Sequence, residues 1–171
     1  MMENKNELFE TIYYQHHPMV LQMCLGFVKG DSNSAKDLSQ EIFIIVWNNL
    51  DKFRGASSYK TWIYRITVNT CLQHVKKDGK ERAVPTTEIE NKISVAEVGS
   101  AENNNVSKLY KAIGQLNKVD RLIIMMVLEN QDYDSISEIM GIKPTNVRVK
   151  IHRIKKRLET ILKSNSDEQQ F

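Results

Sequence analysis

The sequence has few residues that cross-link a chain or interrupt helices. It contains two cysteines, three prolines and seven glycines in 171 residues. Cys24 and Cys71 lack the neighbouring cysteine or histidine of a zinc site or redox motif, so both are predicted to be buried as small apolar side chains. No run approaches the ~20 apolar residues that span a bilayer, and residues 1–10 lack the apolar core of a signal peptide. These absences predict a cytoplasmic protein that inserts no segment into a membrane.

The sequence also lacks a constellation of residues suited to catalysis. His16 and His17 are adjacent and would face apart on a helix, and His74 stands close to lysines. No glycine-rich loop that could cradle a phosphate is present. We therefore predict that the protein is not an enzyme, and we predict no catalytic residue, metal ligand or cofactor.

Helical spacing of apolar residues dominates, whereas strand-like alternation never persists. The fold class predicted is all-α, with two small helical domains joined by a flexible linker. The domains cover residues 1–77 and 106–163, the linker 78–105 and a polar tail 164–171. The predicted helices cover residues 5–16, 18–29, 34–50, 58–77, 106–115, 118–130, 133–140 and 145–162. Pro18 is placed in the first turn of the second helix, and Ser34 with Asp37 is predicted to cap the third.

The second domain contains the pattern of a helix-turn-helix. Residues 133–158 give a short helix, a break at Gly141 and a long basic helix whose apolar stripe is Val147, Ile151, Ile154 and Leu158. No acid occurs between Gly141 and Leu158. A solvated surface helix usually mixes glutamate with lysine, so this one-sided charge favours binding of duplex DNA.

Side chains off the apolar stripe are the predicted contacts to the duplex. They are Thr145, Asn146, Arg148, Val149, Lys150, His152, Arg153, Lys156 and Arg157. Asn146 can bond adenine, Lys150 or Arg153 guanine, and Val149 can meet a thymine methyl group. Arg148, His152, Lys155 and Arg157 are assigned to phosphates, which position a protein without specifying sequence.

Two features of the first domain point to further ligands. On the third predicted helix, Ile44 lies among Asp37, Gln40, Glu41 and Asn48 on the side opposite the apolar face. That arrangement fits the centre of a protein interface, although an isolated exposed isoleucine can also have no role. The following segment, 51–65, interleaves aromatic and basic residues, as surfaces for single-stranded nucleic acid do. The spacing of Trp62 suits the core equally well.

The strings Ala35-Lys36-Asp37-Leu38-Ser39-Gln40-Glu41-Ile42-Phe43, Phe53-Arg54-Gly55 and Lys60-Thr61-Trp62-Ile63-Tyr64-Arg65-Ile66-Thr67-Val68-Asn69 resemble region two of extracytoplasmic-function (ECF) sigma factors. The string Asn146-Val147-Arg148-Val149-Lys150-Ile151-His152-Arg153 resembles the recognition helix of region four of that family. The resemblance implies a factor that binds core RNA polymerase, at the largest-subunit clamp and the flap of the second-largest subunit, and directs promoter recognition, DNA opening and transcription initiation. An anti-sigma partner, often membrane-bound, is implied by the resemblance alone.

The resemblance also assigns residues to each surface. The polymerase clamp would bind a strip made by Asp37, Leu38, Gln40, Glu41, Phe43, Ile44 and Asn48. The single strand of the minus-ten element would contact Phe53, Arg54, Gly55, Ser57, Ser58, Tyr59, Lys60, Trp62, Arg65 and Asn69. The basic helix of the second domain would bind the minus-thirty-five element as duplex. The chain departs from the family at Ser135-Ile136-Ser137, where Glu-Ile-Ala is usual, and at Asn117, where proline is common.

A different class of protein remains compatible with the helix-turn-helix. A stand-alone transcriptional regulator would use the first domain for dimerisation or ligand binding and would bind palindromic duplex DNA without polymerase. Such a regulator needs neither the strip around Ile44 nor the aromatic segment.

Overall fold

The computed structural model describes residues 2–81 and 101–168. Within these ranges the chain forms seven α-helices and one 3₁₀ turn, with no strand, which confirms the all-α prediction. The elements are α1 (Met2–Phe27), α2 (Ser32–Asn49), the 3₁₀ turn (Leu50–Lys52), α3 (Tyr59–Glu81), α4 (Ala101–Gly114), α5 (Lys118–Leu128), α6 (Tyr133–Met140) and α7 (Pro144–Glu168).

Helix α1 continues through Pro18, so the prediction of two separate helices here is wrong. A proline inside a helix costs about 3 kcal/mol because it lacks the N–H that would donate to the preceding turn. Ile12 lies before Pro18, and Met19 and Met23 lie after it; all three are buried. Burial of one such side chain contributes about 1.5–3 kcal/mol, so the shared core offsets the loss at Pro18.

Helix α2 begins earlier than predicted, and Ser34 with Asp37 does not cap it. The chain turns through Lys29 and Gly30, both at positive φ, and Asp31 becomes the N-cap. The Asp31 carboxylate accepts the Asn33 N–H at 3.2 Å and the Ser34 hydroxyl at 2.7 Å. Because Asp31 satisfies the first amides of the helix, Ser34 lies inside it.

Several helices are longer than the apolar pattern predicts. Helix α3 ends at Glu81, α4 begins at Ala101 and α7 ends at Glu168. Most of the predicted linker, residues 82–100, and the end of the predicted tail, residues 169–171, lie outside the described residues. The division into residues 1–77 and 106–163 stays a prediction.

Helices α1 to α3 and α4 to α7 each bury their apolar stripes. Cys24 and Cys71 are free and buried in the first group, as predicted. The structure adds that they are neighbours: a hydrogen bond with Cys24, together with burial, raises the pKa of the Cys71 thiol well above its usual value. A thiol held protonated in this way is a poor nucleophile and packs as an apolar group.

The two groups of helices pack against each other through the C-terminal end of α1. Arg121 of α5 is only 8% exposed; its Nη1 donates to the Phe27 carbonyl at 2.6 Å and its Nε to the Leu116 carbonyl at 3.0 Å. Burial lowers the pKa of Arg121, but a guanidinium stays protonated in proteins. The second domain thus supplies a positive charge to the negative end of the α1 dipole.

Helices α1 and α5 approach each other closely beside the hydrogen bond between Arg121 and Phe27. A Cβ atom at Gly26 would lie 2.3 Å from Cγ and Sδ of Met125, and Met125 is itself buried. The Tyr110 hydroxyl also donates to Gln22 across the same surface. Glycine at position 26 therefore leaves the room that the Met125 side chain of α5 occupies against α1.

We expect Gly26→Ala to separate the two domains while leaving each folded. Alanine favours the helix by about 1 kcal/mol in both states, but overpacking a formed contact costs about 1–3 kcal/mol, which lowers the ratio of closed to open chains about fivefold or more. Fluorescence energy transfer between dyes at residues 36 and 163 should fall.

Gly26→Ala combined with Met125→Ala is the matched control, because removing the Met125 side chain beyond Cβ makes room for the new methyl group. This double variant should recover part of the lost energy transfer. An unchanged transfer in Gly26→Ala would show that the domains do not depend on this contact.

Candidate nucleic-acid and partner interfaces

The turn between α6 and α7 is held by local hydrogen bonds. Asp132 caps α6 by accepting the Ser135 N–H at 2.7 Å, a bond that lowers the pKa of the Asp132 carboxyl. Gly141 ends α6 in the left-handed conformation, with φ of 68° and ψ of 31°. The Ser137 hydroxyl donates to the Ile142 carbonyl across the turn. The serine that departs from the family pattern at position 137 therefore stabilises the turn that presents α7.

Helix α7 buries one stripe and exposes the rest of its circumference. Val147, Ile151, Ile154 and Leu158 are buried, which confirms the predicted stripe. The predicted duplex contacts that are exposed are Thr145, Asn146, Arg148, Val149, His152, Arg153, Lys156 and Arg157. The Arg148 guanidinium lies 5.9 Å from the centre of the Tyr133 ring, which braces it against α6. The outer surface of α7 thus offers cations, an amide and one apolar side chain.

Lys150 is placed differently from the other predicted contacts. It is half-buried, and its Nζ lies 3.6 Å from Oδ1 of Asp120 in α5. The sequence shows no acid within residues 142–157, so this ion pair was missed. It forms between helices that lie far apart in sequence, and no periodicity of a single helix reveals it.

The strip predicted on α2 is largely exposed. Ile44 is 60% exposed, Asp37, Gln40 and Asn48 are exposed, and Glu41 is half-buried. Two predicted members of the strip, Leu38 and Phe43, are buried and support it from below, because they lie on the core side of α2.

An apolar groove of about 350 Å³ adjoins the strip. Its lining residues are Phe9, Tyr13, Gln40, Phe43, Ile44 and Trp47. The rings of Tyr13 and Phe43 are 4.7 Å apart, and those of Phe9 and Trp47 are 5.2 Å apart. Phe9 and Tyr13 come from α1 and were not predicted, although their four-residue spacing places them on one face of a helix. The groove therefore extends the apolar surface of the strip beyond Ile44.

A cluster of three aromatic rings is formed by Phe53 of the loop between α2 and α3 and by Tyr59 and Trp62 at the start of α3. Phe53 stacks on Tyr59 with centroids 4.3 Å apart, and Trp62 lies 5.1 Å from Phe53. All three are half-buried, so Trp62 belongs both to the edge of the core and to the surface. The other predicted contacts here are exposed at Arg54, Gly55, Ser58, Lys60 and Asn69 and half-buried at Ser57. Aromatic rings with cations beside them can receive unstacked bases.

Arg65, a predicted single-strand contact, forms an ion pair with the second domain. Its Nη2 lies 2.9 Å from Oε1 of Glu138 in α6. Both side chains keep substantial exposure, at 38% and 52%, so the pair is a surface ion pair of small net energy. Arg65 is thus shared between the predicted strand-binding surface and the contact between domains.

The described residues are expected to hold no metal site and no membrane-spanning segment. Among the described residues, no group of three or more histidine, cysteine, aspartate or glutamate side chains could hold a metal ion. None of the helices in the described ranges combines the length and apolar character needed to cross a membrane.

An exposed strip beside an apolar groove, an aromatic cluster at the start of α3 and a basic helix-turn-helix are features expected of one class: two-domain, all-helical proteins that bind DNA together with a protein partner. Residues 12–81 match the model of Sigma-70 region 2, and residues 107–158 match that of Sigma-70 region 4. The chain belongs to the sigma-70 family, in its extracytoplasmic-function branch.

Curated relatives and solved structures agree with this assignment. The ECF RNA polymerase sigma-E factor of Escherichia coli K12 is 29% identical over 161 residues, 87% of this chain and 82% of that protein. The RNA polymerase sigma-H factor of Pseudomonas aeruginosa is 26% identical over 168 residues, 90% of this chain and 86% of that one.

Two solved structures share the fold. The sigma factor RpoE of Bartonella quintana, in complex with the anti-sigma factor NepR, matches with a TM-score of 0.73 and 21% identity, over 91% of this chain and 96% of that one. CnrH, in complex with the cytosolic domain of CnrY, matches with a TM-score of 0.66 and 18% identity, over 93% and 90% of the two chains. The protein is accordingly a sigma factor, which binds core RNA polymerase and acts at promoters.

We expect Gly141→Ala to destabilise the helix-turn-helix by about 1–2 kcal/mol, because a left-handed residue with a Cβ is strained. Among the described residues other than the chain neighbours of Gly141, no heavy atom lies within 4 Å of the added Cβ, so the loss is conformational and not a clash. Hydrogen exchange followed by mass spectrometry should speed up in α6 and the first turns of α7. Gly141→Asn is the control and should exchange more slowly than the alanine variant, since asparagine tolerates this conformation; equal exchange in wild type and Gly141→Ala would contradict the expectation.

Proposed function

We propose that each of the three surfaces has one task in transcription initiation. The strip on α2 binds the polymerase clamp, the α2–α3 loop with α3 binds the opened minus-ten strand, and α7 binds the minus-thirty-five duplex. One observation carries the proposal: the two DNA-binding surfaces are built from different residue types and lie in different domains. The loop and the start of α3 have stacked rings, as single strands require, whereas α7 has cations and no acid from Pro144 to Leu158, as a duplex requires.

Binding of the clamp would centre on Ile44. The exposed isoleucine is surrounded by the polar side chains of Gln40, Glu41 and Asn48, which is the pattern of an apolar centre with a polar rim. The groove beside it, with Phe9 and Tyr13, extends the apolar centre onto α1. We assign these two α1 residues to the same interface.

DNA opening would follow from binding alone. Extruding a base costs a few kcal/mol of unstacking, which contacts to the opened strand can offset. The cluster of Phe53, Tyr59 and Trp62 offers stacking surface, and Arg54 and Lys60 offer charge for phosphates. Arg65 would have to leave Glu138 to reach the same strand. No catalytic group is needed for this role.

Duplex binding would use the outer surface of α7. Its first turns carry Thr145, Asn146 and Val149, the positions that enter the major groove in helix-turn-helix proteins. The two domains are linked through one chain, so two weak DNA contacts would strengthen each other when polymerase holds both in place. A stand-alone regulator is not favoured, because it leaves the α2 strip and the aromatic loop without a role.

An anti-sigma factor is the proposed regulator of the chain. The sigma factor RpoE, which shares this fold, is bound to the anti-sigma factor NepR, and CnrH, which also shares it, is bound to the cytosolic domain of CnrY.

We expect the combination Gln40→Ala with Glu41→Arg to weaken binding to core RNA polymerase about tenfold or more, the size typical of residues at an interface centre. Duplex binding by the same variant should be unchanged, because α7 lies in the other domain. The measurement is a pull-down titration with core enzyme, with Lys36→Ala as an exposed control on α2 outside the strip. Loss of both activities would mean misfolding, and normal polymerase binding would remove the assignment of the strip.

We expect Arg148→Ala to weaken binding to every duplex sequence and to reduce the slope of log affinity against log salt by about 0.9, the value for one lost phosphate contact. Arg153→Ala should instead relax the preference at one base pair. Anisotropy titrations with a randomised 30-base-pair duplex pool, and with the sequence that the wild-type chain enriches from it, distinguish the two. Equal loss on all sequences from both variants would remove the base-specific role of Arg153.

A further inference from the structure

Asp120 lies at the start of α5 with its two carboxylate oxygens in different surroundings. Asn117, the N-cap, accepts the Asp120 N–H at 2.9 Å and donates from its own amide to Asp120 Oδ2 at 2.9 Å. Oδ1 is buried and accepts no hydrogen bond from the part of the chain that the structure describes. The asparagine at the position where the family commonly has proline therefore orients this carboxylate.

Lys150 is the cation that faces the buried oxygen. Its Nζ lies 3.6 Å from Asp120 Oδ1, with the side chains 42% and 18% exposed respectively. A buried carboxylate oxygen without a donor is costly, and a nearby ammonium group reduces that cost. Lys150 is thus engaged inside the domain before any DNA arrives.

The position of Lys150 on α7 agrees with this engagement. Advancing 100° per residue, Lys150 lies on the flank of the helix, between the buried stripe of Val147 and Ile151 and the exposed arc of Val149 and His152. Arg148 and Arg153, by contrast, are exposed. The ammonium of Lys150 therefore points along the α5–α7 contact and not straight outward.

We infer that Asp120 is a specificity-determining residue: it retains Lys150 and keeps this charge from adding an indiscriminate phosphate contact. The inference rests on the proposed function of α7 as the duplex-binding helix. Lys150 in the wild-type chain is then a positioning residue, which joins α7 to α5, and the reading of bases falls to its exposed neighbours. Without the Asp120 charge, Lys150 can swing to the nearest phosphate, which carries no sequence information.

The test compares Asp120→Asn, Lys150→Met and the double variant in the full chain. Anisotropy titrations use the randomised 30-base-pair pool and the enriched duplex, each at several salt concentrations. Asp120→Asn keeps the shape of the side chain and removes its charge. It should tighten binding to the random pool about three- to tenfold, steepen the salt slope by about 0.9 and lower the ratio of enriched to random affinity.

Lys150→Met separates this inference from its alternatives. With Asp120 intact, the methionine variant should keep the wild-type salt slope, because the lost charge was not on a phosphate. In the double variant the gain from Asp120→Asn should disappear. A slope reduced by about 0.9 in Lys150→Met would show a direct phosphate contact and overturn the inference. If Asp120→Asn raised affinity for the random pool equally with and without Lys150, Asp120 would act only by repelling DNA phosphates in general. That result would also overturn the inference.

Two controls keep the result interpretable. Arg148→Ala must lower the salt slope; if the wild-type chain shows no salt-dependent duplex binding and Arg148→Ala has no effect, the proposed function of α7 fails, not the ion pair alone. If the wild-type chain binds duplex with the expected salt dependence but Asp120→Asn binds as wild type does, the inference about Asp120 fails and the proposed function of α7 stands. Thermal denaturation monitors folding, and should Asp120→Asn unfold, the salt slope of Lys150→Met still decides the question.

Discussion

The buried guanidinium of Arg121 is the contact on which the arrangement of the two domains depends. It carries its charge into a site where the described acceptors are backbone carbonyls, of Phe27 at the end of α1 and of Leu116 before α5. A helix end leaves carbonyls without intrahelical partners, and a buried cation needs acceptors. The Phe27 carbonyl gains a donor, and the Arg121 guanidinium gains an acceptor, only when the two domains are packed together. The close approach at Gly26 and the pair formed by Arg65 and Glu138 then lie around this centre.

In the proposed function, one protein holds two forms of DNA through two distributions of charge. The first domain places its cations beside aromatic rings, and the second places them on α7, which carries no acid from Pro144 to Leu158. The acid that pairs with Lys150, on the flank of α7, is Asp120 of α5. The electrostatic surface of a recognition helix is therefore set partly by neighbours that are remote in sequence.

Burial and exposure of side chains could be predicted from the sequence where the pattern of apolar residues lies within a single helix. The stripe from Val147 to Leu158 and the exposure of Ile44 follow from 3.6-residue periodicity, and both are found. The continuity of α1 through Pro18 was missed because the core it enters is built by other helices. The pairings of Lys150 with Asp120 and of Arg65 with Glu138 were missed for the same reason: each joins residues that only the packed fold brings within reach. Ligand contacts on the three surfaces stay predictions.

The fit between Gly26 and Met125 has a consequence for how such chains vary. The methionine side chain occupies the space that a Cβ at position 26 would need, so a larger residue at 26 fits the closed arrangement only if the side chain at 125 moves or becomes smaller. Among chains that keep their domains together, the sizes of these two side chains should covary inversely, whereas chains that have lost the contact should vary independently at both sites.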